Sequence, residues 1–487
     1  MTTEEARAIS LKALVDKENN RVIFVESDED FTDVLFSFLT MPMGTIIRLI
    51  SNHNQPPTVG MGCMNNLYES IKNLDMQRFR TEACKTMLLC PRNCAAPQNK
   101  RLKLQIDDGE QPRYFLCTTD CTLFGHKLSL YPNAVCECGQ LMDTTIELSE
   151  KTVFDARDRG VFVKGLNQFI IIDELQVKPS SIEASLSVVS KLGLMDSSTI
   201  EEYNIDIGVD EVLTLLKMSL VSKTPLTGTF LKHSPTPELD QKYFDISKSG
   251  REESATDVSG KTFMIKLIVS KSKKMVYYAE TSEAFVNLLF SFLTVPLGYA
   301  LKMHIGTWKG CINHLYNSIH ELDADQFLKS NKHKEMLLSP KLAPNFGYEN
   351  HPLGIEEDKH PPYYYIYGED KLISDETIVP TTGISRLTAV DPESSSKDTA
   401  KGGFVKGPAM FTITDNLTIT PISPISCLSV LKKLKVTFND IEVRLVKVGY
   451  EEALRLMVAS LVSESVLTDT FLREPNQKIE DIFIHLL

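Results

Sequence analysis

The sequence predicts an α+β protein made of two duplicated units. Three observations carry this. The stretch Phe31-Thr-Asp-Val-Leu-Phe-Ser-Phe-Leu-Thr-Met-Pro-Met-Gly44 returns as Phe285-Val-Asn-Leu-Leu-Phe-Ser-Phe-Leu-Thr-Val-Pro-Leu-Gly298. Around each copy, β-prone runs and helical patterns come in blocks, which fits segregated α+β better than a regular parallel sheet. The 487 residues, 42% of them hydrophobic and 24% charged, suffice for about two to four domains. Each unit is expected to open with a β-hairpin and helices, pass through a β-rich middle and close in a mixed β/α end. The units span 8–231 and 261–474, with 113–142 a cysteine-rich insertion, 232–260 a flexible linker and 475–487 a C-terminal tail.

Leu11 to Val15 and Arg21 to Val25 flank a polar turn and predict a hairpin; Ile265 to Val269 and Met275 to Ala279 do the same around Ser270 to Lys274. Ser27 is the expected cap of the next helix, with Asp30 adding negative charge near its first turn. That helix should bury one face, Phe31, Leu35, Phe38 and Leu39, matched by Phe285, Leu289, Phe292 and Leu293, and stop at Pro42 to Gly44 or Pro296 to Gly298. A second helix places Met64, Leu67, Ile71 and Leu74 on one face behind Cys63; Ile312, Leu315, Ile319 and Leu322 follow Cys311. The copies are offset by 254 at Phe31/Phe285 but by 248 at Cys63/Cys311, so the first holds six extra residues, assigned to a surface loop at Ser51 to Pro57. A third helix ends in Met87-Leu-Leu89 or Met336-Leu-Leu338, shortly before Pro91 or Pro340.

The middles diverge, with cysteines after Tyr114 in the first unit and Tyr363-Tyr-Tyr-Ile-Tyr367 in the second. The copies meet again at Gly160-Val-Phe-Val-Lys-Gly165 and Gly403-Phe-Val-Lys-Gly407. A strand follows (Gln168 to Asp173; Met410 to Asp415), then a run to Pro179 or Pro421 and a helix (Ser181 to Leu192; Ser426 to Leu434). The closing helices carry Val212, Leu213, Leu216 and Leu220, matched by Ala453, Leu454, Met457 and Leu461. Lys232 to Gly260 is rich in Ser, Pro, Gly and charge, so the units are expected to be loosely joined. Arg386 to Lys401 reads as a flexible loop, with phosphorylation at Ser394 to Ser396 the alternative.

A net charge of −12 opposes a broad attraction to nucleic-acid backbones. The N-terminus lacks a secretory pattern, and the longest uncharged stretches fall short of the ~20 residues a spanning helix needs. An intracellular protein, cytoplasmic or nuclear and without a membrane partner, is expected. In that compartment, ten cysteines are no disulfide framework, and clustered ones point to metal.

Cys117-Thr-Thr-Asp-Cys121 and Cys136-Glu-Cys138-Gly139 supply two close pairs of thiols able to surround one Zn²⁺, with Gly139 letting the backbone turn beneath it. Cys117, Cys121, Cys136 and Cys138 are the predicted ligands of a structural Zn site; incidental reduced cysteines and a redox pair are the alternatives. Four thiolates close the coordination sphere, so such a metal braces a loop and does not activate water. Cys63 and Cys311 open matched helices, but His314 of the second unit faces Asn66 in the first, so no Cys/His pair is shared. Packing is the expected role of both thiols. Gly60-Met-Gly62 lacks the third glycine of a dinucleotide motif, and no phosphate-binding Gly-Lys-Ser/Thr loop occurs. Glu26/Glu280, Asp75/Asp323 and Asp173/Asp415 recur, and caps and turns explain them more simply than acid–base chemistry.

The hairpin, the Leu-Phe-Ser-Phe-Leu-Thr-x-Pro-x-Gly helix, the Gly-Cys-x-Asn-x-Leu-Tyr-x-Ser helix and the Phe-Val-Lys-Gly segment together resemble the plant family catalogued as domain of unknown function 674. The resemblance covers nearly the whole chain in two copies and implies no established activity. Its members often show a Cys-x-Cys-Gly-x-x-Met ending, here Cys136 to Met142, which favours a zinc-ribbon-like insertion.

With no shared catalytic constellation, the expected function is a non-enzymatic interaction or scaffold protein with a protein partner. A zinc-ribbon-assisted nucleic-acid binder is the first alternative, and a hydrolase or transferase using Cys63 or Cys311 the second.

Overall fold

A computed structural model of the chain describes residues 8–473 except 53–61, 108–112, 118–126, 150–158, 195, 232–261, 304–309, 345–352, 360, 370, 376, 391 and 394–402. Most of the expected loop at Ser51 to Pro57, the linker 232–260, the tail 475–487 and Ser394 to Ser396 lie outside the described residues.

The first half opens with the antiparallel pair β1 (Ile9–Asp16) and β2 (Arg21–Ser27). Helix α1 (Glu29–Ser37) follows. Its cap is Asp28, whose side chain accepts from the Asp30 N–H. Ser27 was the expected cap, but it still belongs to β2, and its hydroxyl is engaged by the Asp28 carbonyl and Thr32. Next come α2 (Met43–Asn52), α3 (Met64–Asn73), α4 (Glu82–Leu89) and α5 (Ala96–Asn99). Short strands follow: β3 (Tyr114–Leu116), β4 (Lys127–Ser129), β5 (Ala134–Val135), β6 (Leu141–Met142) and β7 (Thr144–Ile146). The half closes with β8 (Phe169–Ile172), β9 (Val177–Pro179), α6 (Ile182–Lys191), β10 (Ile200–Ile207), α7 (Val209–Val221) and α8 (Pro225–Phe230).

The second half runs through β11 (Phe263–Ser270), β12 (Val276–Ser282), α9 (Glu283–Ser291), α10 (Leu297–Met303), α11 (Ile312–Glu321), α12 (Ala324–Phe327) and α13 (Asn331–Leu338). Then come β13 (Tyr363–Ile366), β14 (Lys371–Ser374), β15 (Ile384–Ala389), β16 (Met410–Thr414) and β17 (Ile419–Pro421). It ends with α14 (Pro424–Lys433), β18 (Ile441–Val448), α15 (Tyr450–Val462) and α16 (Val466–Phe471). Arg386 to Ala389, expected in a flexible loop, belongs to β15, where Arg386 and Leu387 pair with β13 and Thr388 and Ala389 with β4.

Two antiparallel sheets, in the orders β10-β1-β2-β8-β9 and β17-β16-β12-β11-β18, each belong to one half. A third belongs to both. Its order is β14-β13-β15-β4-β3-β7, with β15 of the second half lying parallel to β4 of the first. Strands of three or four residues cannot persist alone, and here they complete one another.

The expectation of loosely joined units is therefore corrected. Met43 N–H donates to Val295 O and Leu297 N–H to Met41 O, each at 2.9 Å, where the chain turns through Pro42 and Pro296. Helix α3 begins with Cys63 N–H on Ser460 O of α15 (2.8 Å), and α11 with Cys311 N–H on Ser219 O of α7 (2.9 Å). Further along, Ser70 Oγ accepts from Ile419 N–H of β17, and Ser318 Oγ from Val177 N–H of β9, both at 2.9 Å. Each half thus lends its third helical segment to the other half's sheet, and one continuous hydrophobic core spans both.

Helices α1 and α9 are buried beyond the one face expected: every residue from Phe31 to Ser37 and from Phe285 to Ser291 is shielded. A helix covered on all sides must satisfy its polar groups internally. Ser37 and Thr40 do so by donating to Val34 O and Ser37 O, and Ser291 and Thr294 by donating to Leu288 O and Ser291 O. Gly44 and Gly298, expected as stops, lie inside α2 and α10. A Cβ on Gly298 would stand 2.5 Å from Leu337 O and 3.0 Å from Leu39 O, so glycine is there for close approach of backbones.

Candidate metal centre

Strands β5 and β6 form a small hairpin, Ala134 opposite Met142 and Val135 opposite Leu141, and its loop is Cys136-Glu-Cys138-Gly-Gln140. Cys136 N–H donates to Gln140 O at 2.8 Å and Gly139 N–H to Cys136 O at 2.7 Å. Gly139 takes φ +88°, a conformation that costs glycine little and other residues more. The turn folds the two thiols of the loop toward Cys117, which ends β3 and whose N–H donates to Lys127 O on β4.

The sulfurs of Cys117, Cys136 and Cys138 lie within 4.8 Å of one another, and those of Cys117 and Cys138 are 3.5 Å apart. Zn–S bonds of about 2.3 Å in a tetrahedron hold sulfurs about 3.8 Å apart, so this arrangement fits a thiolate-bound metal. Cys117 and Cys136 are buried, and Cys138 is exposed. Among the described residues this is the one cluster of three or more His, Cys, Asp or Glu side chains able to converge on an ion. Cys121, the remaining predicted ligand, lies outside the described residues.

Cys117 and Cys136 pack with Phe115, Met142 and Val390, the last from the second half. Val390 N–H donates to Leu128 O at 2.7 Å, extending the parallel register of β15 on β4. Nearby, Tyr114 meets Tyr363 with ring centroids 5.5 Å apart, and the Arg92 guanidinium lies 5.4 Å from the Tyr114 ring centre. The thiols therefore stand at the seam of the two halves.

A family model described as a protein of unknown function (DUF674) matches residues 5–451. The chain belongs to the DUF674 family. No curated protein and no solved structure matches it.

Elsewhere in this DUF674 chain, the other sequence candidates take structural positions. Cys63 is buried, donates to Ser463 O and has its thiol pushed up to about 12, first by burial and then by Asp415 and neighbouring acids. Burial also raises the Cys311 thiol. Neither has the low pKa of a nucleophile. Asp75 and Asp323 cap short helical turns by accepting from Gln77 and Asp325 N–H. Asp173 accepts from Thr227 N–H and hydroxyl, and Asp415 from Thr468 in the same way, in the first turns of α8 and α16.

One site escaped the sequence reading. The buried carboxylate of Asp33, in the middle of α1, accepts from Val161, Phe162 and Val163 N–H, the latter two at 2.8 and 2.9 Å. Burial raises its pKa to about 7 against the opposing pull of those amides and Lys329. In the second half Asn287 Oδ1 accepts from Phe404 and Val405 N–H, and the buried Glu393 carboxylate takes Gly403 N–H. The signal was present in the sequence, since Asp33 and Asn287 are the one acid-for-amide difference inside the otherwise matched Phe31 and Phe285 stretches.

Among the described residues, no helix is long and apolar enough to cross a membrane.

Proposed function

We propose that this chain is a non-enzymatic interaction scaffold of duplicated origin, and that Cys117, Cys136 and Cys138, with Cys121 as fourth ligand, hold a structural Zn²⁺ in a zinc-ribbon-like knuckle. One observation carries the reading: three thiols within 4.8 Å of one another, backed by Val390, at the junction of the shared sheet. A closed thiolate site contributes folding free energy and leaves no open position for water. Placed here, it fastens the end of β3 to the β5–β6 hairpin, against Val390 where β15 meets β4. A single knuckle then serves both halves, which accounts for the lack of matching cysteines in the second.

The scaffold reading is supported by apolar side chains turned to solvent in the second half, where Ile425, Phe438 and Leu445 are 78%, 72% and 71% exposed. A protein partner is the class of ligand such a surface suits. Reduced thiols in a thiolate site also suit an intracellular, reducing compartment.

Metal analysis of the full chain purified without chelator should find close to one equivalent of Zn, and Cys136→Ser should remove most of it. Less than about half an equivalent in the parent protein would refute the metal centre. Affinity capture with the full chain, and with Phe438→Ser and Leu445→Ser combined, tests the scaffold. Partners retained by the parent and lost by the variant are expected, and none above background would remove it.

A further inference from the structure

We propose that the first half carries a binding site for a small tetrahedral oxyanion, either inorganic phosphate or the terminal phosphate of a phosphomonoester, held by Arg101, Lys103 and Arg159. The three cations line a cavity of about 180 Å³ together with Asp30, Asp33 and the Gly160 turn. In a protein of net charge −12, the wall of this concavity carries three cations against two acids, with Asp28 and Glu29 acting on Lys103 from beyond the lining.

Both acids are already engaged. Asp30 pairs with Lys103 at 2.8 Å, and the Asp33 carboxyl is held by three backbone N–H groups. Arg101 donates from Nη2 to Gly160 O at 3.3 Å, which fixes its guanidinium at the cavity wall. Arg159 is exposed and makes no hydrogen bond or ion pair among the described residues. Two planar guanidinium forks and an ammonium offer more donors than the two oxygens of a carboxylate can use, whereas a phosphate presents three or four acceptors. The volume is below the ~300 Å³ at which pockets for drug-sized ligands begin, so the organic part of any ester must be small or project outward. Near neutrality the raised pKa of Asp33 also limits the negative charge opposing an anion.

The test is calorimetric titration of the full-length protein, in a buffer free of phosphate and sulfate, with inorganic phosphate, phenyl phosphate and acetate. Saturable one-to-one binding of phosphate is expected, weakened about ten- to a hundredfold by Arg159→Ala. Arg159 is exposed, and an unchanged melting temperature in the variant separates lost binding from lost folding. Tighter binding of phenyl phosphate assigns the site to a phosphomonoester, and equal or weaker binding assigns it to the free anion. Absence of saturation with both phosphates, equal affinity for acetate, or unchanged affinity in Arg159→Ala would each overturn the proposal.

Discussion

Asp33→Asn should reverse its effect on stability as pH rises. In the folded chain burial raises the Asp33 carboxyl from 3.8 to about 7, a gap worth about 4 kcal/mol. Its sign follows from proton counting. Between those values the folded chain keeps a proton that the unfolded chain has released, so stability falls with rising pH. The contribution is fully present below about pH 4 and is lost as pH climbs through about 7, at about 1.4 kcal/mol per pH unit. Asparagine removes this slope. Its oxygen can serve two of the amides, as Asn287 Oδ1 serves Phe404 and Val405, both at 2.9 Å. Val161 N–H then loses its acceptor, because the first half has no described counterpart of Glu393, at a cost of about 1–3 kcal/mol. The variant should be the weaker protein by about 1–3 kcal/mol at pH 4 and the stronger by about 1–3 kcal/mol at pH 8. Urea midpoints followed by far-UV circular dichroism at intervals from pH 4 to 8, without phosphate, measure the crossing. Asp173 and Asp415, whose pKa values burial also raises, are common to both proteins and cancel. A difference between variant and parent that stays constant over this range would refute the account of Asp33.

Gly310→Ala would set a Cβ 2.2 Å from Ser219 O and 2.4 Å from Leu220 C, both backbone, so thermal unfolding should show a loss of about 1–3 kcal/mol or more. Thr227→Val and Thr468→Val should each cost about 1–3 kcal/mol, since each hydroxyl links an aspartate to a strand amide, that of Val22 or Val276. Markedly unequal losses in denaturant titrations would show that the two sites are not energetically alike. Iodoacetamide near neutral pH, read by peptide mass spectrometry, should leave Cys63 and Cys311 of the native protein unlabelled while the exposed Cys90 reacts. Rapid labelling of Cys63 would restore the nucleophile reading.

Hairpins and main helices were legible because each has its own signal: Leu11 to Val15 and Arg21 to Val25 are β-prone runs around a polar turn, and Met64, Leu67 and Ile71 recur every three or four residues. Strands β10 and β18 were not, since Ile-Glu-Glu-Tyr-Asn-Ile-Asp-Ile and Ile-Glu-Val-Arg-Leu-Val-Lys-Val mix charge through exposed edge positions. Gly44 looked like a stop because a glycine after proline punctuates most chains, whereas the structure gives it a packing role inside a helix, where the Leu88 carbonyl and the Leu293 carbonyl of the other half come close. The thiol cluster was legible from spacing alone. The pocket was not, because Arg101 and Arg159 lie 58 residues apart in a chain whose overall charge points the other way (159 − 101 = 58). Nor does a repeat in a sequence tell which copy a helix will pack against.

The exchange of helices has a consequence for synthesis. Cys63 meets Ser463 across 400 residues of chain, and at about 5–20 residues per second a ribosome needs about 20–80 s to deliver the second partner after the first. Through that interval the parts of α2, α3 and α4 that face the second half lack their full native cover. A nascent chain stalled before Ser460 should therefore bind a holding chaperone where the released full-length protein does not. A nonsense mutation late in the gene would leave no functional half behind, because the N-terminal portion is completed only by what is made last.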